Sequence, residues 1–126
     1  MVDAKKTVLI VEDEELLLSL LRDELVQRGY SVLVSKTGED AVAVLSESHA
    51  DIQLVALDLM LPKMDGFEVL QRMKEDDRLK DIPVVVLSNL GDDENTKRAM
   101  DLGTKGYFVK SDMTPDEIAD LVKAIK

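Results

Sequence analysis

Short blocks of consecutive apolar residues alternate along this chain with longer blocks whose apolar residues recur every three or four positions. The short blocks read as strands and the longer ones as helices. Thr7 to Val11 is β-branched and predicts a first strand. Glu14 to Arg28 predicts a helix: Leu17, Leu21 and Leu25 recur at a spacing of four, Leu16, Leu18 and Leu20 widen the stripe, and Gly29 stands where a C-terminal cap belongs. Ser31 to Val34 predicts a second strand, whose partial alternation suits a sheet edge. Thr37 caps a second helix that carries Ala41, Val42, Val44 and Leu45 and fades near His49. Ile52 to Leu57 predicts a third strand. A third helix runs from Asp65 to about Glu75, with Asp65 and Glu68 at capping-box spacing and Phe67, Leu70 and Met73 as its buried face. The polar stretch from Glu75 to Asp81 reads as a surface loop. Pro83 to Leu87 is a fourth strand, its proline at the first residue, where a missing N–H is tolerated. Asp92 or Asp93 opens a fourth helix with Ala99, Met100 and Leu102, ending at Gly103. Gly106 to Val109 is a fifth strand. Thr114-Pro115-Asp116-Glu117 then places a cap, a first-turn proline and a capping-box acid before a fifth helix striped by Ile118, Leu121, Val122 and Ile125.

Strands alternating with helices imply right-handed crossovers and a parallel sheet covered on both faces. The first, third and fourth strands are apolar almost throughout, as central strands are. In such a sheet, ligands bind beyond the carboxyl ends of the strands. The first strand ends in Glu12-Asp13, the third in Asp58, the fourth in Ser88 and the fifth in Lys110. Each has a plainer explanation. Asp58 could cap or solvate a strand end, Asp13 could cap a helix, Ser88 could start a turn before Gly91, and Lys110 could be solvated. Those explanations do not account for three carboxylates, a hydroxyl and an ammonium meeting at one edge. Crowded carboxylates raise one another's pKa unless a positive charge sits among them. A hard, all-oxygen set suits magnesium. An aspartate beside magnesium, a lysine and a hydroxyl is an apparatus for accepting a phosphoryl group, a transfer that needs positioning and charge neutralisation.

Composition narrows the classes further. The 126 residues suit one domain, residues 1–126, and 45% are apolar and 33% charged, as in an ordinary globular protein. No apolar run approaches the ~20 residues that cross a bilayer, and no secretion leader is visible. The absence of cysteine excludes a disulfide framework, thiol catalysis and thiolate metal sites, and fits a cytoplasmic location. A net charge of -10 disfavours nucleic acid and anionic membrane as direct partners. His49, the single histidine, reads as a surface residue rather than a relay group.

Four segments, VEDEELL, LDLMLPKMDG, VVVLS and GYFVK, stand in an order and spacing that resembles the receiver domain of bacterial response regulators. The resemblance covers essentially the whole chain. It implies a flavodoxin-like (βα)5 fold of class α/β, doubly wound, with strand order 2-1-3-4-5. It implies phosphorylation of Asp58 by a histidine kinase or phosphotransfer protein, and signalling to a downstream protein rather than metabolic catalysis. Asp13, Asp58 and the Met60 backbone carbonyl would hold magnesium, with Glu12 acting through water. Ser88 and Lys110 would stabilise the phosphoryl group, and Ser88 and Tyr107 would switch. Tyr107 also reads simply as an edge-strand aromatic on a half-buried surface.

Three departures from the family's usual pattern matter. Glu12 stands where aspartate is common. Ser111 stands where a proline with a cis peptide is usual. A cis bond costs ~2.5–4 kcal/mol before serine against ~0.5–1 before proline, so this bond is either trans in an altered loop or cis under strain. Met60 and Leu90 are both apolar, which implies slow self-dephosphorylation because neither can position a water. The competing classes fit less well. A haloacid-dehalogenase-like phosphatase would carry its nucleophile on the first strand, with another aspartate two residues on. A flavodoxin proper would need a small-residue phosphate loop where this chain has EDEE. A receiver-like module that is never phosphorylated would not need every site group present.

Overall fold

The computed structural model describes residues 6–61, 64–89 and 93–124. The strands are β1 (Thr7–Val11), β2 (Ser31–Ser35), β3 (Ile52–Asp58), β4 (Val84–Ser88) and β5 (Gly106–Val109). The helices between and after them are α1 (Glu15–Gln27), α2 (Gly38–Ser48), α3 (Gly66–Glu75), α4 (Asp93–Asp101) and α5 (Pro115–Ala124). All strands are parallel and lie in the order β2-β1-β3-β4-β5, the flavodoxin-like arrangement. Expectations resting on Pro62, Leu90, Gly91, Asp92 and Ile125 lie outside the described residues.

The pleat divides the core in two. Alternate residues of the central strands point to opposite faces. Leu9, Val11, Val55, Leu57, Val84 and Val86 meet α2, α3 and α4 through residues such as Leu45, Leu70 and Ala99. Val8, Ile10, Leu54, Ala56, Val85 and Leu87 meet α1 and α5 through Leu18, Leu21, Leu25, Ile118, Ala119 and Val122. Both faces of the middle strands are therefore covered, which is why they read as unbroken apolar runs. Arg28, just past α1, ties this second layer together by pairing with Glu24, Asp116 and Asp120.

The helix caps follow the sequence closely. Thr37 accepts from the Asp40 N–H at 3.0 Å and Asp65 from the Glu68 N–H at 2.9 Å. At α5 the box closes in both directions, Glu117 N–H to Thr114 Oγ1 at 3.2 Å and Thr114 N–H to Glu117 Oε1 at 3.0 Å. Gly29 and Gly103 close α1 and α4 with φ of 95° and 88°, in the left-handed region.

Three expectations need correction. In α1 the buried stripe is Leu18, Leu21 and Leu25, whereas Leu16 and Leu20 are 70% and 46% exposed. At 3.6 residues per turn those two lie opposite the buried set, so they do not widen it. Met100 is likewise exposed, and Ala99 is the buried residue of α4. The stretch after α3 is more than a surface loop. Leu79 is buried in the core while Asp76 accepts the backbone N–H groups of Arg78, Leu79 and Lys80 around it. No described helix is long and apolar enough to cross a membrane.

Candidate functional site

The register brings the strand tips together at the carboxyl edge. Asp58, the last residue of β3, pairs with Leu87 of β4, and Ser88 one step further pairs with Val109 of β5. Lys110 follows Val109 directly. On the other side of β3, Val11 pairs with Leu57, so Glu12 and Asp13 emerge next to Asp58.

Asp58 is buried and fixed at both oxygens. Oδ1 accepts the Met60 N–H at 3.1 Å, and Oδ2 accepts from Lys110 Nζ at 3.1 Å. The chain folds back beneath it, with the Gly66 N–H donating to the Leu59 carbonyl at 2.9 Å. A Cβ on Gly66 would lie 2.4 Å from the Asp58 carbonyl oxygen, so only glycine allows this approach.

Glu12 is equally constrained. Its N–H donates to the Ser35 carbonyl at 2.9 Å, Oε2 accepts the Glu14 N–H at 3.1 Å, and Oε1 accepts from Lys110 Nζ at 2.7 Å. Burial is the main cause that pushes its carboxyl up to about 7, and the nearby Asp58 charge adds to it against the opposing hydrogen bond from Lys110. Burial opposes the charge on Lys110 too, but hydrogen bonds and attraction from Glu12 and Asp58 outweigh it and raise its pKa. The ammonium therefore stays charged, its side chain 8% exposed, as the link between two buried carboxylates.

Asp13 is exposed at the rim. Glu12, Asp13 and Asp58 each offer a carboxylate oxygen within 4.8 Å of the others. Asp13 does not cap α1: the helix begins at Glu15, with Glu14 at the cap position and no side-chain cap bond. The donor set is hard oxygen throughout, and Glu12's raised carboxyl is in want of positive charge, so the cluster fits a divalent cation such as magnesium.

Ser88 is fully buried beside this group, and Tyr107, opposite Val86 on the edge strand, is half-buried against the core. The Met60 side chain is 58% exposed. Leu90 lies outside the described residues. The Lys110–Ser111 peptide is trans, since no described peptide bond is cis, and residues Lys110–Asp112 form a short 3-10 turn.

The structure adds two residues that the sequence reading did not single out. Glu14 pins Glu12 through its backbone and reaches 3.7 Å from Lys110 Nζ with its own carboxylate. Gly66 shapes the loop under Asp58. Its signal was the Asp65-Gly66 pair, which otherwise reads only as a helix start.

The comparisons with known proteins agree with this geometry. A family model for the response regulator receiver domain matches residues 8–124. A relative named as probable transcriptional regulator ycf27, from Guillardia theta, is 33% identical over 123 residues, covering 98% of this chain and 46% of its own length. The phosphorylated cyanobacterial phytochrome response regulator RcpA is similar at 34% identity and a TM-score of 0.82, covering 96% of this chain and 91% of that one. A Mn(2+)-bound form of response regulator Rcp1 gives 31% identity and a TM-score of 0.81, covering 95% and 91%. This chain spans about half the length of the curated relatives it matches.

Proposed function

The chain belongs to the response regulator receiver domain family, the signalling domain of two-component systems, and on that premise we propose that it accepts a phosphoryl group on Asp58 from a histidine kinase or phosphotransfer protein. The observation that carries this reading is the Asp58 carboxylate itself, buried at a strand tip and held by the Met60 N–H and by Lys110 Nζ beside two further acids.

In the transfer, a carboxylate oxygen of Asp58 forms the new P–O bond while the P–N bond to the donor histidine breaks, its electron pair leaving with the imidazole. Lys110 moves from its carboxylates to a phosphoryl oxygen, and the Ser88 hydroxyl donates to another. Asp13, Asp58 and the Met60 carbonyl would hold magnesium, with Glu12 acting through water, and the bound ion would supply positive charge between the carboxylates and the incoming group. Phosphorylation adds about 1.5 to 2 negative charges at one strand tip. Ser88 and Tyr107 then shift together, and the face made by α4, β5 and α5 changes for a downstream protein target. A clean switch, from 1:99 to 99:1, needs a bias of about 5.5 kcal/mol from the phosphoryl group. Met60 gives an attacking water no hydrogen-bond partner from its side chain, so self-dephosphorylation is slow. Residues 1–126 make up one receiver domain working in the cytoplasm.

Intact mass after incubation with magnesium and acetyl phosphate tests the central step. The native chain is expected to gain one phosphoryl group only when magnesium is present, and Asp58→Asn to gain none. A gain that survives in Asp58→Asn would assign the wrong acceptor.

A further inference from the structure

Glu14 stands at the mouth of the site and does not do what its place in the chain would ordinarily ask of it. It holds the cap position of α1, where a short polar side chain commonly bonds a free N–H, yet its own side chain makes no cap bond. Its backbone is engaged on both sides. The N–H donates to Glu12 Oε2 at 3.1 Å, and the carbonyl accepts from the Leu18 N–H at 3.0 Å. The backbone thus fixes where the side chain begins, and the side chain turns toward the site, its carboxylate 3.7 Å from Lys110 Nζ.

The charge it carries there is only weakly offset. Lys110 Nζ lies closer to Glu12, at 2.7 Å, and to Asp58, at 3.1 Å, so two buried carboxylates already claim it. Glu15, the next acid along, has Lys36 as its own partner. The Glu14 side chain is 60% exposed where that of Lys110 is 8% exposed. Sharing one ammonium, with contacts of 3.7 and 3.1 Å, puts the Glu14 carboxylate within about 7 Å of Asp58, inside the ~10 Å Debye length of 0.1 M salt. An anion approaching Asp58 therefore meets a fixed, outward-facing negative charge.

We propose that Glu14 is a specificity-determining residue, whose carboxylate at the mouth of the site discriminates among phosphodonors by their charge and slows the small, multiply charged ones. The inference rests on Asp58 being the acceptor. A protein donor can bring a cation of its own beside its phosphohistidine to offset the screen, whereas a free acyl phosphate cannot. The plainer role for Glu14 is that of a third holder of Lys110. Losing a mere holder would free the ammonium for any phosphoryl group and quicken every donor by the same factor.

Two small donors separate these roles: acetyl phosphate, a dianion at neutral pH, and phosphoramidate, a net monoanion there. The initial rate of mass gain is measured with each at saturating magnesium and low ionic strength, for the native full chain, Glu14→Gln and Glu14→Asp. Repulsion scales with donor charge, so a gain of about twofold for the monoanion becomes about fourfold for the dianion. Glu14→Gln is expected to show that unequal gain, and 1 M salt, with a Debye length of ~3 Å, to cancel it. Glu14→Asp, which keeps the charge, is expected to keep the native ratio of the two rates. Equal gains for both donors, no gain, a gain that survives high salt, or Glu14→Asp behaving as Glu14→Gln would overturn the inference and leave Asp58 as the acceptor. A native chain that takes a phosphoryl group from neither donor would overturn the acceptor reading itself, and the inference with it.

Discussion

Asp58 sits in a local excess of negative charge: one ammonium, Lys110, serves Glu12 and Asp58 in burial and reaches toward Glu14 as well. Removing one buried carboxylate relieves that crowding, because Glu12 and Lys110 remain as a matched pair. Asp58→Asn is thus expected to stabilise the metal-free fold by about 1 kcal/mol while abolishing phosphorylation, a familiar exchange at functional sites. Urea unfolding in EDTA checks it, and an unchanged or lowered midpoint would count against the crowding account. Gly66 makes the opposite case. A single methyl there meets backbone at 2.4 and 2.6 Å, not a yielding side chain. Gly66→Ala is expected to cost about 1–3 kcal/mol in stability and to slow phosphoryl uptake by displacing Asp58, read from the same unfolding curves and from the rate of mass gain.

At the scale of elements, capping and periodicity set what could be read in advance. Thr37, Asp65 and Thr114 cap where their spacing puts them, since a cap is a contact within four residues. Asp65→Ala is expected to lower stability by about 1 kcal/mol, seen as a lower urea midpoint with an unchanged slope. The strand tips were legible for a different reason: in a parallel sheet all carboxyl ends share one edge, so the residue that ends each strand is delivered to that edge. Other features depend on helix phase or on distant contacts. Six leucines crowded into three turns of α1 do not declare which of them faces the sheet, and Leu16 and Leu20 face water. Leu79 lies in a polar stretch with no period, and only the tertiary fold shows it to be core. The same holds for Glu14, whose backbone rather than its charge orients Glu12.

For the whole molecule, the acid cluster of Glu12, Asp13 and Asp58 at one edge is a place where a divalent cation would add stability to the fold. A ligand that binds only the folded state adds about 2.7 kcal/mol at a hundredfold its Kd. Magnesium is expected to raise the Tm of the native chain with concentration, and Asp13→Ala to blunt that rise; a Tm indifferent to magnesium would remove the cation from the site. The site also has a history within each molecule's synthesis. Lys110 closes onto Glu12 across 98 residues and onto Asp58 across 52. A chain emerging from the ribosome exposes Asp58 long before the last strand arrives with the charge that completes the constellation. With Asp58 as the proposed acceptor, nascent or truncated chains would stay outside the signalling pool, and the ability to receive a signal would double as a certificate that synthesis and folding are finished.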